Sequence, residues 1–170
     1  MADELLNLDN LRAVLEEYGE AVAAQYKANL ARDNRPTGAD SLRNSIRTHV
    51  EVGENSYTVE MDLKAYWKWI EHGTKGRQTG NPSRKFPPVN VLLNWIQVKP
   101  VIPRPDSKGR IPKPESLAFL IGRKIREFGT EGKTSLGDAK ETTWNEWRTR
   151  IEEALRADMY DYVKQIMTGG

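Results

Sequence analysis

The residues best suited to chemistry lie in the segment YWKWIEHGTKGRQTGNPSRKFPP, residues 66 to 88. Glu71 and His72, followed by Lys75 and Arg77, could supply a general base beside anion-binding cations, as a small hydrolase or nuclease needs. Adjacent positions of a helix point about 100° apart, so Glu71 cannot orient His72 as a catalytic triad requires. We therefore interpret this pair as structural, rank a hydrolase last and expect no enzyme.

Other catalytic or ligand-binding chemistry finds little support in the sequence. The glycines of GTKGRQTG lack the Lys-Ser or Lys-Thr ending of a phosphate-binding loop, and they follow a predicted helix rather than a strand. The chain has no cysteine and only two histidines, His49 and His72, with no HExxH-like spacing. We predict neither a metal site nor a cofactor.

Positive charge is concentrated in one region of the chain. Residues 64 to 113 contain eleven Lys or Arg against two acidic residues, so this region carries +9 within a chain of net charge +2. Eight of the nine prolines lie between positions 82 and 114. We predict that the region grips an anionic surface, either a phosphate backbone or an acidic subunit, without reading base sequence. The candidate interface residues are Trp69, Lys75, Arg77, Arg84, Lys85, Arg104, Lys108, Arg110 and Lys113.

The elements that position these residues follow from hydrophobic periodicity. Helical spacing of apolar residues predicts a long helix over about residues 10 to 31, capped by Asp9 or Asn10. Strict alternation in SIRTHVEV and YTVEMDL predicts a β-hairpin with one apolar face. A lone hairpin is marginal in water, so the helix should pack on that face.

Four further helices are predicted. The first runs from Leu63 to His72 with Asp62 as its cap, and the second, VNVLLNWIQV, should be buried nearly all round. Pro114 opens the third, Gly129 ends it, and a long helix with an apolar face closes the chain. In the first of them Leu63, Tyr66, Trp67 and Ile70 should be buried, Lys64, Lys68 and Glu71 should face water, and Trp69 should lie at the edge.

The predicted fold class is α+β. The N-terminal helix packs on a small antiparallel sheet built around the hairpin, with additional short helices and a long C-terminal helix. We predict a single domain over 1–170, with basic loops at 74–88 and 99–114 and a linker at 129–138. The motifs WIEHGTKG and IREFGTEGK echo each other, and we interpret them as two ordinary helix exits. We expect no signal peptide, no membrane span, and folding in a cytoplasm.

The order of these features resembles the tail-completion, or neck, proteins of tailed bacteriophages. The resemblance covers about residues 8 to 98 and the final helix, whereas residues 99 to 138 depart from the family pattern. A G-x-L-x-x-S-I element is matched with one inserted spacing, an aromatic–acidic–Gly-Thr element follows the second strand, and a Pro-Phe-Pro-like stop precedes a helix. The matching residues are Gly38, Leu42, Ser45 and Ile46; Tyr66, Trp69, Glu71, Gly73 and Thr74; and Lys85, Phe86 and Pro87.

The resemblance implies a non-enzymatic virion protein, assembled in the host cytoplasm. It implies a ring, usually of six copies, at the head-proximal end of the tail, which joins the tail tube to the connector and lets genomic DNA pass. Partners would be other copies of the chain and neighbouring neck, connector and tail-tube proteins. Residues 75 to 85 would face either the lumen or the next subunit. The alternative is a nucleic-acid-binding module that uses the basic 75–113 region, with Trp69 and Phe86 stacking on bases.

Overall fold

The computed structural model describes residues 8–33, 41–53, 56–98, 103–105 and 107–168. It contains six helices and four short strands in these ranges, which confirms the α+β prediction. The helices are α1 (Asp9–Arg32), α2 (Leu42–Ser45), α3 (Trp67–His72), α4 (Val89–Val98), α5 (Pro114–Phe128) and α6 (Ser135–Thr168). The strands are β1 (Arg47–Val52), β2 (Tyr57–Asp62), β3 (Thr74–Lys75) and β4 (Gly129–Thr130), and a 3-10 turn spans Arg77–Thr79.

The chain divides into two compact units of opposite charge. One unit combines residues 1–65 with 134–170, and the other is formed by residues 66–133. The second contains fourteen Lys or Arg and five Asp or Glu, so it carries +9 and the first carries −7. We call them the acidic unit and the basic unit. The single domain over 1–170 stays a prediction.

In the acidic unit α1 packs along α6 and across the hairpin. The buried residues of α1 include Leu11, Val22, Tyr26 and Leu30, at the helical spacing that the sequence predicted. Strands β1 and β2 pair in antiparallel register from Arg47↔Asp62 to Val52↔Tyr57. Helix α1 meets the hairpin closely at Gly19, where a Cβ would lie 3.0 Å from a Val59 methyl carbon. The predicted packing of helix on hairpin is confirmed.

Polar contacts tie α1 to α6 at both ends of the pair. At one end Asp158 accepts hydrogen bonds from the Leu11 N–H at 2.7 Å and from the Asn10 N–H at 3.2 Å. At the other end the Asn29 side chain donates to the Ser135 carbonyl oxygen at 2.8 Å. The two helices therefore run antiparallel. The predicted cap by Asp9 or Asn10 is wrong, because the N-cap residue is Leu8 and a carboxylate from a distant helix accepts the free amides.

The stability of the fold should depend on pH through Tyr18 on α1. Its ring packs edge-on against Trp144 with 6.2 Å between ring centres, and burial raises the pKa of Tyr18 above its ordinary value of 10.0. Because the folded chain then holds this proton more tightly than the unfolded chain, the stabilisation is complete below about pH 10 and is lost as pH rises through the folded-state pKa. Tyr18→Phe should flatten the loss of stability above about pH 10, measured as urea midpoints. An unchanged alkaline slope would contradict this.

The basic unit has a small core. Helix α4 packs on α5, and Leu92 and Ala118 are the only hydrophobic side chains of the unit that are buried among the described residues. The Phe86 ring lies over Gly122, where a Cβ would come within 2.5 Å of it. Phe86 also stacks on Phe119 with 5.5 Å between ring centres. These contacts of α4, α5 and the Phe86 ring form the apolar core of the unit.

Three predictions for the helices are corrected here. Helix α3 begins at Trp67 rather than Leu63, and its N-cap residue is Tyr66, four residues after Asp62 ends β2. Glu71 was expected to face water but is buried. Helix α4 is not buried all round, since Val91 is 56% exposed. Burial in this small unit therefore differs in both directions from what helical periodicity predicts: Glu71 is covered and Val91 is exposed.

Candidate docking surface on the basic unit

The two Gly-Thr motifs pair with each other in the basic unit. Strands β3 and β4 are antiparallel, with Thr74 opposite Thr130 and Lys75 opposite Gly129. The hydroxyls of the two threonines are 2.9 Å apart, and the Thr130 N–H donates to the Thr74 hydroxyl at 3.2 Å. We call residues 73–76 and 129–132 together the GTxG clasp. Equivalent threonines face each other, so a local twofold axis relates the two motifs.

The glycines of the clasp are required by close backbone approach. Gly73 and Gly129 have φ of 66° and 82°, in the left-handed region that disfavours other residues. A Cβ at Gly73 would overlap the carbonyl oxygen of Thr130, and a Cβ at Gly129 would overlap that of Thr74. The last glycine of each motif likewise lies where a Cβ would overlap backbone near the opposite helix end. Only glycine fits at these four positions.

The sequence shows both Gly-Thr-x-Gly motifs of the clasp but did not lead to the prediction that they pair. Gly73 and Gly129 do end α3 and α5, as predicted, yet the two exits also pair across 56 residues of chain. The missed signal is the full repeat, Gly-Thr-x-Gly twice, each following a helix that contains Glu two residues before the first glycine. The predicted loop 74–88 therefore contains β3 and a 3-10 turn, and the predicted linker 129–138 contains β4 and the start of α6.

Two of the candidate interface cations brace the loop that follows the clasp. The Arg84 guanidinium donates to the Thr74 hydroxyl at 3.2 Å, and Arg77 donates to the Pro82 carbonyl oxygen at 2.9 Å. Thr79 donates to the Phe128 carbonyl oxygen at 3.0 Å, which joins the same loop to the end of α5. Arg77 and Arg84 thus have a structural role, whatever partner the unit binds.

The other candidate residues belong to several different elements and loops of the basic unit. Trp69 on α3 is 65% exposed, which is unusual for so large an apolar ring. Lys75 lies on β3 and Lys113 is the residue that precedes α5. The exposed members of the candidate set are Trp69, Lys75, Arg77, Lys85, Arg104, Lys108, Arg110 and Lys113, whereas Arg84 is half-buried.

Exposed apolar side chains accompany these cations. In the basic unit the large hydrophobic residues with substantial exposure are Trp69, Val89, Val91, Trp95, Ile111, Phe119, Leu120 and Phe128. Phe86 is not among them, because its ring is used against α5; of the two predicted stacking rings, Trp69 alone is strongly exposed. Many exposed apolar residues in a strongly basic unit are typical of a protein part that a macromolecular partner covers.

Glu71 and His72 do not face a common space. Glu71 is buried, whereas His72 is exposed. In the part of the chain that the structure describes, no three His, Asp or Glu side chains are arranged to hold a metal ion. Among the same residues no helix combines the length and apolarity needed to span a membrane. Comparison of the chain with protein-family models, curated proteins and solved structures finds no match.

Proposed function

We propose that the chain is a self-assembling structural subunit of a tailed-phage neck. It forms a ring at the head-proximal end of the tail, joins the tail tube to the connector and lets DNA pass. One observation carries the proposal: a unit of net charge +9 buries two hydrophobic side chains among its described residues and leaves eight large ones exposed. Such a surface costs solvation free energy until a partner covers it.

Charge favours another copy of the chain as that partner. A closed ring uses two different surfaces of every subunit, because each contact joins unlike faces. The basic unit at +9 and the acidic unit at −7 are complementary in sign, so head-to-tail contacts are attractive whereas contacts between like units are repulsive. The resemblance of the sequence to neck proteins supports a ring of six copies, and the clasp supports a basic unit rigid enough to dock.

Self-association should therefore depend on salt and on the exposed cations. Lys85→Glu with Arg104→Glu should weaken assembly, because both side chains are exposed and neither is seen to brace the loop. The matched control, Lys140→Glu with Arg148→Glu, makes the same charge change on exposed positions of α6. Sedimentation at low salt and at about 1 M salt, where the Debye length falls to about 3 Å, measures both effects. A wild-type chain that stays monomeric and does not join purified tails or connectors would overturn the proposal.

A nucleic-acid-binding module is the second candidate function, and the observation that favours it is the exposed Trp69 within a unit of net charge +9. Fluorescence anisotropy with labelled single-stranded and duplex DNA separates the two functions. A DNA-binding module should bind as an isolated subunit, with affinity that falls steeply with salt and falls further in Trp69→Ala. Binding no stronger than that of a generic basic protein, together with salt-sensitive self-association, would favour the ring.

A further inference from the structure

The last ten residues of α6 extend beyond the helix that supports the rest of it. Helix α6 has 34 residues and α1 has 24, and Asp158 meets the first turn of α1. Residues 159–168 therefore continue past the start of α1 for about 15 Å at 1.5 Å per residue. All ten are exposed. We call this segment the α6 overhang.

The composition of the α6 overhang is unlike that of a solvated helix end. Its exposed large apolar residues are Met159, Tyr160, Tyr162, Val163, Ile166 and Met167. Its only charged residues are Asp161 and Lys164. Tyr160, Val163 and Met167 recur at i, i+3 and i+7, so they share one face, and they are 69%, 48% and 81% exposed. An apolar face of this size at the end of a helix loses contact with water when a partner packs on it, which is favourable.

Helix α5 of the basic unit carries a surface that fits this overhang. Phe119 and Leu120 are 54% and 47% exposed, and one turn further along Arg123 and Lys124 are exposed. We call these four residues the α5 face. The C-terminal end of α6 has no basic residue in its last turn, so no cation of α6 opposes the partial negative charge at this helix end. Both surfaces therefore expose apolar residues, and their charges are opposite in sign.

We infer that the α6 overhang of one copy packs on the α5 face of the next copy and that this contact is the head-to-tail interface. The inference rests on the proposed ring assembly. It assigns the two unlike surfaces that a closed ring needs: one from the acidic unit and one from the basic unit. Each copy then contributes its overhang to one neighbour and its α5 face to the other, which leaves no unpaired end in the closed ring.

The test introduces cations on the overhang. Val163→Lys with Met167→Lys should keep or raise the unfolding midpoint, because Lys near a helix C-terminus suits the dipole. The same change should weaken assembly about 30-fold or more, because it removes two apolar contacts and places two cations against Arg123 and Lys124. The matched control, Asn145→Lys with Thr149→Lys, adds the same pair at exposed positions of α6 outside the overhang and should assemble as wild type.

Mixing two variants tests the pairing itself. Arg123→Glu with Lys124→Glu disables the α5 face and leaves the overhang intact, and it should not assemble alone. Mixed with the overhang Lys variant, it should form larger assemblies of 1:1 composition by analytical ultracentrifugation. Its intact overhang meets the intact α5 face of the other variant, and its Glu residues attract the Lys residues on the other variant's overhang. Assembly of either variant alone, or no mixed species, would overturn the inference. A wild type that assembles while these results fail leaves the ring proposal standing; a wild type that never assembles overturns the ring proposal instead.

Discussion

Gly129→Ala is expected to abolish the GTxG clasp and destabilise the basic unit by about 4 kcal/mol or more, among the largest effects of a single methyl group. The new Cβ would overlap the Thr74 carbonyl oxygen, which is backbone and cannot rotate away as a flexible side chain would. The residue also has φ of 82°, so an L side chain there is strained even without the overlap.

Two other glycines separate these causes. Gly109 has φ of 74° but nothing within 4 Å of its added Cβ, so Gly109→Ala should cost only the backbone strain, about 1–2 kcal/mol. Gly137 lies in α6 with its nearest contact at 3.9 Å, so Gly137→Ala should be neutral or should stabilise the chain by up to about 1 kcal/mol.

Hydrogen exchange can localise the effect of Gly129→Ala. The Lys133 N–H donates to the Ile70 carbonyl oxygen at 2.9 Å. The Asn81 N–H donates to the Gly76 carbonyl oxygen, also at 2.9 Å. Both amides should lose protection in Gly129→Ala and keep it in Gly109→Ala. If both amides kept their protection in Gly129→Ala, the backbone contact of the clasp would not require glycine at position 129.

Asp158→Ala is expected to lower the free energy of unfolding by about 3 kcal/mol. The buried carboxylate accepts from the backbone N–H groups of Asn10 and Leu11 and from the Asn10 side chain at 2.7 Å. Without the carboxylate, these three donors lose their acceptor on α6, and the start of α1 loses this connection to its partner helix. Urea unfolding followed by circular dichroism measures the change as a shift in midpoint.

Two variants on the same helix calibrate that result. Asp158→Asn retains one acceptor oxygen but loses the charge, so its cost should be intermediate, about 1–2 kcal/mol. Glu152→Ala removes an exposed carboxylate that lies 4.0 Å from the exposed Arg156 guanidinium, and it should change stability by less than about 0.5 kcal/mol. If Asp158→Ala were no worse than Glu152→Ala, the carboxylate would have no role in holding the helix pair together.

Much of the fold could be predicted from local pattern. The bounds of α1 were predicted within one residue, and the hairpin was predicted with its apolar face toward the helix. The ends of α5 at Pro114 and Gly129 followed from the restricted backbone of these two residue types. Periodicity and special residues act over one or two turns of chain, so a sequence read in short windows contains them.

The candidate surface could be predicted only in part. The concentration of positive charge is a property of composition, and the structure places it in a separate compact unit. Sequence reasoning treated Phe86 and Trp69 as equivalent rings, but Phe86 packs on Gly122 and Phe119 whereas Trp69 is exposed. Which ring is covered depends on a helix more than thirty residues away, and no local pattern contains that contact.

The sequence by itself determined the long helices, the hairpin with its apolar face and the segregation of charge, because these depend on residue type and spacing along the chain. Only the tertiary structure decided that Asp158 caps α1, that the two Gly-Thr-x-Gly motifs pair, that Glu71 is buried and that the end of α6 projects beyond its partner. Each of these depends on backbone or side-chain groups that lie far apart in sequence and meet only when the helices pack.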